Sequence, residues 1–263
     1  GSLRHFALLY TSSEKRDVLA AIYIIDAELR ATATQVSHEV AHTRLQWWRA
    51  EIDRLINRDA RHPATQYLQS TLPQADFAKL HELLVAADMD LARMTYHTAQ
   101  ELSSYLERSG GVVMEFAAYV LSQPSTLSKA AASIAYRVGT LIRRVETLRD
   151  LVAEARNGRI YLPLDILAEH NLDVQALYAD TIPEGVRLII EKETTTVKSQ
   201  LLSELAALPR KERSLLRPLI VLGRLHIRLL DRISRAGFNV AARRHELSMF
   251  DKTWHAWRAA LRS

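Results

Sequence analysis

Between Arg137 and Pro163 the chain runs through a helix-period segment, an Asn-Gly pair and a short apolar exit closed by proline. Val138, Leu141, Val145, Leu148, Val152 and Ala155 recur at three- and four-residue steps, which predicts one apolar helix stripe that other elements must cover. Glu146, Asp150 and Glu154 follow at intervals of four beside it, stacking three carboxylates on a single face. Like charges so placed repel by a few tenths of a kcal/mol per pair unless a cation stands between them. Two kinds of cation suit the spacing: an arginine at a three-residue offset, Arg143 or Arg149, or a divalent metal holding phosphate oxygens. A salt-bridged helix face is the plainer outcome.

The rest of the chain is compatible with helix almost throughout. Of 263 residues 48% are apolar, only 8 are Gly and 7 Pro, and Ala, Leu, Arg and Glu dominate. The absence of cysteine excludes disulfides, thiolate zinc sites and cysteine nucleophiles. A net charge of +5 permits attraction to anionic membranes or diphosphates, but it is a small excess of 35 basic over 30 acidic residues. Basic residues are not interleaved with aromatics in any recognised module, so no nucleic-acid partner is expected. No run of about 18 apolar residues predicts a transmembrane helix, and the first residues do not read as a secretory signal.

The same period recurs in both directions from the centre. Thr11-Ser12-Ser13 is set to cap a helix carrying Val18, Leu19, Ile22, Tyr23, Ile25 and Leu29. His38-Glu39-Val40-Ala41-His42 spells HExxH, which on a helix places two imidazoles on one face beside a glutamate, the zinc-protease pattern. Glu51, Asp59 or His62 would supply a third ligand, yet no stretch reads as the substrate-binding strand such an enzyme needs, so these read as ordinary helix-start residues. Trp47 and Trp48 stand about 100° apart on a helix, so one is expected buried and the other partly exposed. Ser125 or Thr126 is the expected cap of the central helix. From Leu219 to Arg235, Arg224, Arg228, Arg232 and Arg235 share a face opposite Leu222, Leu225, Leu229 and Ile233. That face is either solvated or offered to an anionic membrane or acidic partner. A closing helix from Leu247 to Leu261 carries Met249, Trp254, Trp257 and Leu261.

Leu148-Arg149-Asp150 with Glu154, followed by Gly158-Arg159-Ile160-Tyr161-Leu162-Pro163, resembles the second aspartate motif of the squalene/phytoene synthase family, roughly LRDxxxD and then GRxYLP. Asp150 matches its first aspartate and Glu154 stands where its second would be. Arg16, Ala21 and Tyr23 match the approach to the first motif, DDxxD, but the positions of that motif hold Arg30, Ala31, Thr32, Ala33 and Thr34. Val36-Ser37, the run from Arg44 to Arg49 and His62-Pro63 resemble the branch that includes the mitochondrial complex I assembly factor and bacterial relatives, which also lacks the first aspartates. Asp90, Tyr96, Tyr105, Gly111 and Val113 fit a later segment in which Met114 replaces a glycine that would lie against a prenyl tail.

The resemblance implies an all-α, single-domain bundle over residues 1–263, with an isoprenoid-synthase-like central cavity. It makes Asp150 and Glu154 the remnant metal ligands and places Tyr23, Arg30, Arg149 and Tyr161 toward a ligand. Arg30 can pair with a phosphate, or with Asp150 or Glu154 across the cavity, but it cannot hold magnesium. Ionising an allylic diphosphate needs metals bridging its oxygens. The implied function is therefore a diverged, non-catalytic assembly or scaffold factor, with no cofactor and a protein partner in a membrane-associated complex. The alternative is a magnesium-dependent prenyltransferase that binds prenyl diphosphates through Asp150 and Glu154. Either would be a soluble protein of the cytoplasm or an organelle matrix, with room for peripheral attachment to a membrane.

Overall fold

The computed structural model describes residues 2–32, 37–122, 127–179 and 181–261, and all regular structure among them is helical. In chain order the α-helices are α1 (Leu3–Leu8), α2 (Ser13–Thr32), α3 (His38–Ile56), α4 (Pro63–Thr71), α5 (His81–Leu91), α6 (Ala99–Leu106) and α7 (Val112–Ser122). They continue as α8 (Lys129–Arg149), α9 (Leu151–Arg156), α10 (Leu164–Glu169), α11 (Glu184–Ala207), α12 (Arg210–Arg213), α13 (Arg217–Arg235) and α14 (Met249–Leu261). Several begin on a side-chain acceptor: Ser2 for α1, Ser37 for α3, His62 followed by Pro63 for α4, and Thr98 for α6. Ser125 and Thr126, the expected caps of α8, lie outside the described residues. The cap is Ser128, whose hydroxyl accepts from Ala131 N at 3.1 Å while donating to Glu212.

The central segment departs from the continuous helix its period predicts. α8 ends at Arg149, Asp150 adopts φ −98° and ψ 8°, and α9 restarts at Leu151. The backbone still bonds Asp150 N to Glu146 O at 3.1 Å and Glu154 N to Asp150 O at 2.8 Å, so the fourfold register of the three carboxylates survives the break. Asn157-Gly158 then turns the chain, with Gly158 at φ +81°, a conformation that side-chain-bearing residues rarely adopt.

α8 is the hub. Its buried side, from Ala131 and Ile134 through Ile142 to Leu148, is covered by α7, α11 and α13, and a π-turn at Glu107–Gly111 packs across it at Gly139. The apolar core is one contiguous cluster drawing on residues from Phe6 to Ala260. A smaller cluster joins Ala86, Tyr96, Leu102, Tyr105, Leu106 and Tyr161. Met114, expected to narrow the cavity, is buried at the α7–α8 contact, where a Cβ built on Gly139 would stand 2.6 Å from its own Cβ. Trp48 is fully buried and Trp47 is 43% exposed, as their angular separation predicts.

Candidate functional site

A cleft of about 910 Å³ opens between α2, the α8–α9 junction, α13 and the segment from Arg244 to Lys252. The apolar faces of these helices are spent on the core, so the ends that meet at the cleft present their polar residues to one another. Those residues form a lattice of alternating charge. On α2, Asp26 is 3% exposed and takes Arg4 at 2.5 Å and Arg30 at 2.8 Å. Arg30 also crosses the cleft to Glu146 on α8 at 2.7 Å. Glu146 receives Arg143 at 3.5 Å, and the Nε2 of buried His226 lies 3.9 Å from its other oxygen.

Further along, both oxygens of Asp150 are held by Arg149, at 2.9 and 2.5 Å, and by Arg244, at 2.9 and 3.1 Å. Glu154 is held by Arg159 at 2.5 Å. Each of the three stacked carboxylates has thus acquired its own guanidinium, which removes the repulsion their spacing would otherwise cause.

The electrostatics follow from this packing. Burial by itself would raise the Glu146 carboxyl, but Arg30, the His226 contact, Arg4 and Arg143 outweigh it and hold the group well below the usual carboxylate range. Burial likewise works against Asp26, where Arg30 and Arg4 prevail, and against Asp150, where Arg149 and Arg244 prevail. Groups held low bind fewer protons in the fold than in the unfolded chain. Their stabilisation is complete above the ordinary carboxylate range and is lost as pH falls through the lowered values. The midpoint of thermal unfolding is expected to stay flat from about pH 8 to about pH 5 and to fall below about pH 4.5. Glu146→Gln should make that acid decline shallower; an unchanged slope would place the titration elsewhere.

The residues expected to face a ligand divide into two groups. Tyr23, Arg30, Arg149, Asp150 and Glu154 all line the cleft, and Arg4 lies over the Tyr23 ring at 4.9 Å. Arg30 pairs with Asp26 and Glu146 rather than with Asp150 or Glu154, because Asp26 lies one turn before it on α2 and turns its side chain toward α8. Arg149 pairs with its neighbour Asp150 instead of Glu146, since the helix break at Asp150 brings the adjacent side chains together.

Tyr161 is not in the cleft. It is 5% exposed, donates to Asp90 at 2.5 Å and stacks on Tyr105, whose hydroxyl donates to the other Asp90 oxygen at 3.0 Å. Burial pushes both phenols upward, so they remain neutral donors to that carboxylate. Arg143 connects this buried set to the cleft, donating to Tyr105 Oη at 2.5 Å while also pairing with Glu146.

Among the described residues the HExxH side chains are not gathered into a cluster of three potential metal ligands. His38, Glu39 and His42 are exposed along α3. Glu51 is buried and accepts from the backbone of Arg61 and His62, both at 2.8 Å, and from Thr65, so it is a turn clamp. His62 caps α4 and packs on Trp48 with ring centroids 4.9 Å apart. Sequence reasoning missed Arg4, Asp26, His226, Arg244 and Lys252 as cleft residues. Arg4, His226, Arg244 and Lys252 are brought in from segments distant from the motif, and no local period marks a pairing across such separations; Asp26 stands four residues before Arg30 on α2, a helix spacing that could have found it.

A family model described as squalene/phytoene synthase matches residues 2–251. The chain belongs to the squalene/phytoene synthase family. It is 27% identical over 158 residues to a 15-cis-phytoene synthase of Synechococcus elongatus, covering 56% of this chain and 51% of that protein. It is 26% identical over 164 residues to a phytoene synthase of Thermus thermophilus, covering 62% and 55%. The chain thus spans about half the length of these curated relatives. In fold it is similar to a dehydrosqualene synthase solved with a ligand, with a TM-score of 0.86 at 12% identity, covering 98% of this chain and 90% of that one. A squalene synthase, HpnC, of Alicyclobacillus acidocaldarius gives a TM-score of 0.67 at 18% identity, covering 89% and 99%. The all-α isoprenoid-synthase architecture expected from the motifs is therefore the architecture of this chain.

The resemblance implies magnesium, and the residues present do not fit it. Magnesium requires several oxygen ligands in near-octahedral array. Here the Asp150 oxygens are saturated by two guanidiniums, Glu154 is engaged by Arg159, and Arg30 occupies the wall where facing carboxylates would stand. Among the described residues no cluster of three or more acidic or histidine side chains is arranged around a common point.

Proposed function

We propose that this protein is a diverged squalene/phytoene synthase family member that does not carry out magnesium-dependent condensation of prenyl diphosphates and acts instead as a scaffold or assembly factor. The observation that carries the reading is Arg30, a fixed cation held between Asp26 and Glu146 at 2.8 and 2.7 Å where the family's first aspartate motif would begin. A guanidinium there repels a metal ion, while the carboxylates that would hold one are already neutralised by other arginines, Asp150 by Arg149 and Arg244 and Glu154 by Arg159. Its ion pairs give it a structural role that does not require a ligand.

A second reading rests on a different observation. The cleft is still about 910 Å³ and still carries Arg143, Arg149, Arg244 and Lys252, a set suited to a diphosphate, and the relatives named above are synthases. On that reading the protein remains a prenyltransferase working through Asp150 and Glu154, with the arginines assisting the leaving group.

Thermal unfolding with and without farnesyl diphosphate, each with and without magnesium, separates the two. A ligand present at about 100 times its dissociation constant adds roughly 2.7 kcal/mol, equivalent to about 5–10 °C for a chain of this size. The scaffold reading expects no magnesium-dependent shift. A shift that requires both components, with a condensed product in the same mixture, would overturn it.

A further inference from the structure

α14 packs on α13 and α1 through an inner face where Lys252, Ala256, Ala259 and Ala260 are buried. The opposite face is apolar as well. Phe250, Trp254, Trp257 and Leu261 are 76%, 44%, 47% and 66% exposed. At 100° per residue they fall within an arc of roughly 60° on the helix, so they form one narrow ridge pointing directly away from the core. Trp254 and Trp257 lie against each other with ring centroids 5.3 Å apart. Four large side chains aligned on one face are not the scattered apolar exposure that every protein surface shows.

A cationic shoulder runs beside the ridge. Arg228, Arg232, Arg235 and Arg243 line a groove between α13 and the segment leading into α14, and Asp251 borders it from α14 itself. Arg258 is exposed two turns further along α14. Arg228 is paired with Asp231, whereas among the described residues Arg232, Arg235, Arg243 and Arg258 make no ion pair with a carboxylate.

We propose that this face docks on an anionic lipid bilayer, with α14 lying in the interfacial plane. The ridge would sit at the boundary between headgroups and acyl chains, where indole rings are preferred, and the arginines would meet lipid phosphates. A ridge confined to a narrow arc suits shallow insertion of a surface helix, and no helix among the described residues is long and apolar enough to cross a membrane. Charge complementarity selects the occupant. An anionic bilayer satisfies the ridge and the arginine shoulder together, whereas a second copy seated ridge to ridge would bring beside its indoles a groove whose lining holds four arginines against one carboxylate, Asp251. Because Lys252 on the inner face of α14 lines the cleft, such docking would fix the cleft immediately behind the membrane surface.

The test is co-sedimentation of the 263-residue chain with vesicles of phosphatidylcholine alone and of an equal mixture with phosphatidylserine, at low and high salt. The expected result is binding to the mixed vesicles, weakened by salt and accompanied by a blue shift of tryptophan emission. Trp254→Ser with Trp257→Ser should abolish both the binding and the shift while leaving the unfolding midpoint unchanged. Arg232→Glu with Arg235→Glu should weaken binding to the mixed vesicles by roughly thirtyfold without touching the ridge. Failure to bind either vesicle, binding insensitive to both pairs of substitutions, or a ridge-dependent dimer in light scattering without vesicle binding would each overturn the proposal.

Discussion

Glu146→Ala is expected to lower folding stability by about 3 kcal/mol, which for a chain of this length is a fall of roughly 6–12 °C in the unfolding midpoint. Glu146 is the node of the cleft. Its carboxylate is only 15% exposed and balances Arg30 from α2 and Arg143 from its own helix, with His226 from α13 beside it. Removing it leaves two guanidiniums facing each other across a partly desolvated gap, and that uncompensated charge is the main cost. Glu146→Gln keeps the shape and one acceptor, so it should be milder. Replacing Arg30 by Met and Glu146 by Leu together should recover part of the loss, because it removes one of the two stranded guanidiniums while Arg143 stays without its carboxylate. Urea or thermal unfolding followed by circular dichroism reads all four proteins. A loss below about 0.5 kcal/mol for the alanine variant would mean that solvent screens the lattice and that the pairs contribute little.

That result bears directly on function. If the lattice is strongly stabilising, the cleft is held together by contacts that a metal or a diphosphate would have to displace. A lattice that contributes little leaves the same arginines available to an anion. The stability measurement therefore limits the chemistry before any substrate is added, and Asp150→Ala supplies a milder companion. Its partner Arg244 is 57% exposed, so that half of the interaction is largely screened.

The fold was legible because it depends on local repetition. The apolar stripe from Val138 to Ala155 predicts a buried helix, and α8 with α9 is that helix, broken at one residue. Asp150 and Glu154 were found from a motif that keeps both in one short segment, and they do line the cleft. The partners of these carboxylates were not legible in the same way. Arg244 reaches Asp150 from 94 residues away and Arg30 reaches Glu146 from 116, and neither pairing leaves a mark in the periodicity of either helix. Tyr161 lies outside the cleft for the complementary reason. It sits in a well-matched motif, but a motif fixes the backbone path, and whether a ring then faces the cleft or the core depends on Tyr105 and Asp90 from elements far earlier in the chain.

Gly139→Ala is the other substitution with a large expected effect, and its origin is steric rather than electrostatic. Gly139 lies in the middle of α8, where alanine would ordinarily gain about 1 kcal/mol from helix propensity. At this position the added methyl would run into the carbonyl oxygen of Gly110 in the π-turn and stand 2.6 Å from Met114 Cβ. The first obstacle is backbone and the second is the base of a side chain buried at the α7–α8 contact, so neither can move aside without separating the helices. The clash should outweigh the propensity gain and leave a net loss of about 2–3 kcal/mol. Gly223→Ala on α13 is the internal control: its Cβ would meet only the side-chain tip of Leu205, at 3.0 Å from Cδ1, and a rotamer change can relieve that contact. The control should therefore come out within about 1 kcal/mol of the parent. Equal losses at the two positions would show that glycine's backbone freedom, and not the close approach of the π-turn to α8, is what both sites require. A selective loss at Gly139 would identify that approach as the contact that holds the π-turn against α8, on the stretch of α8 that also carries Arg143.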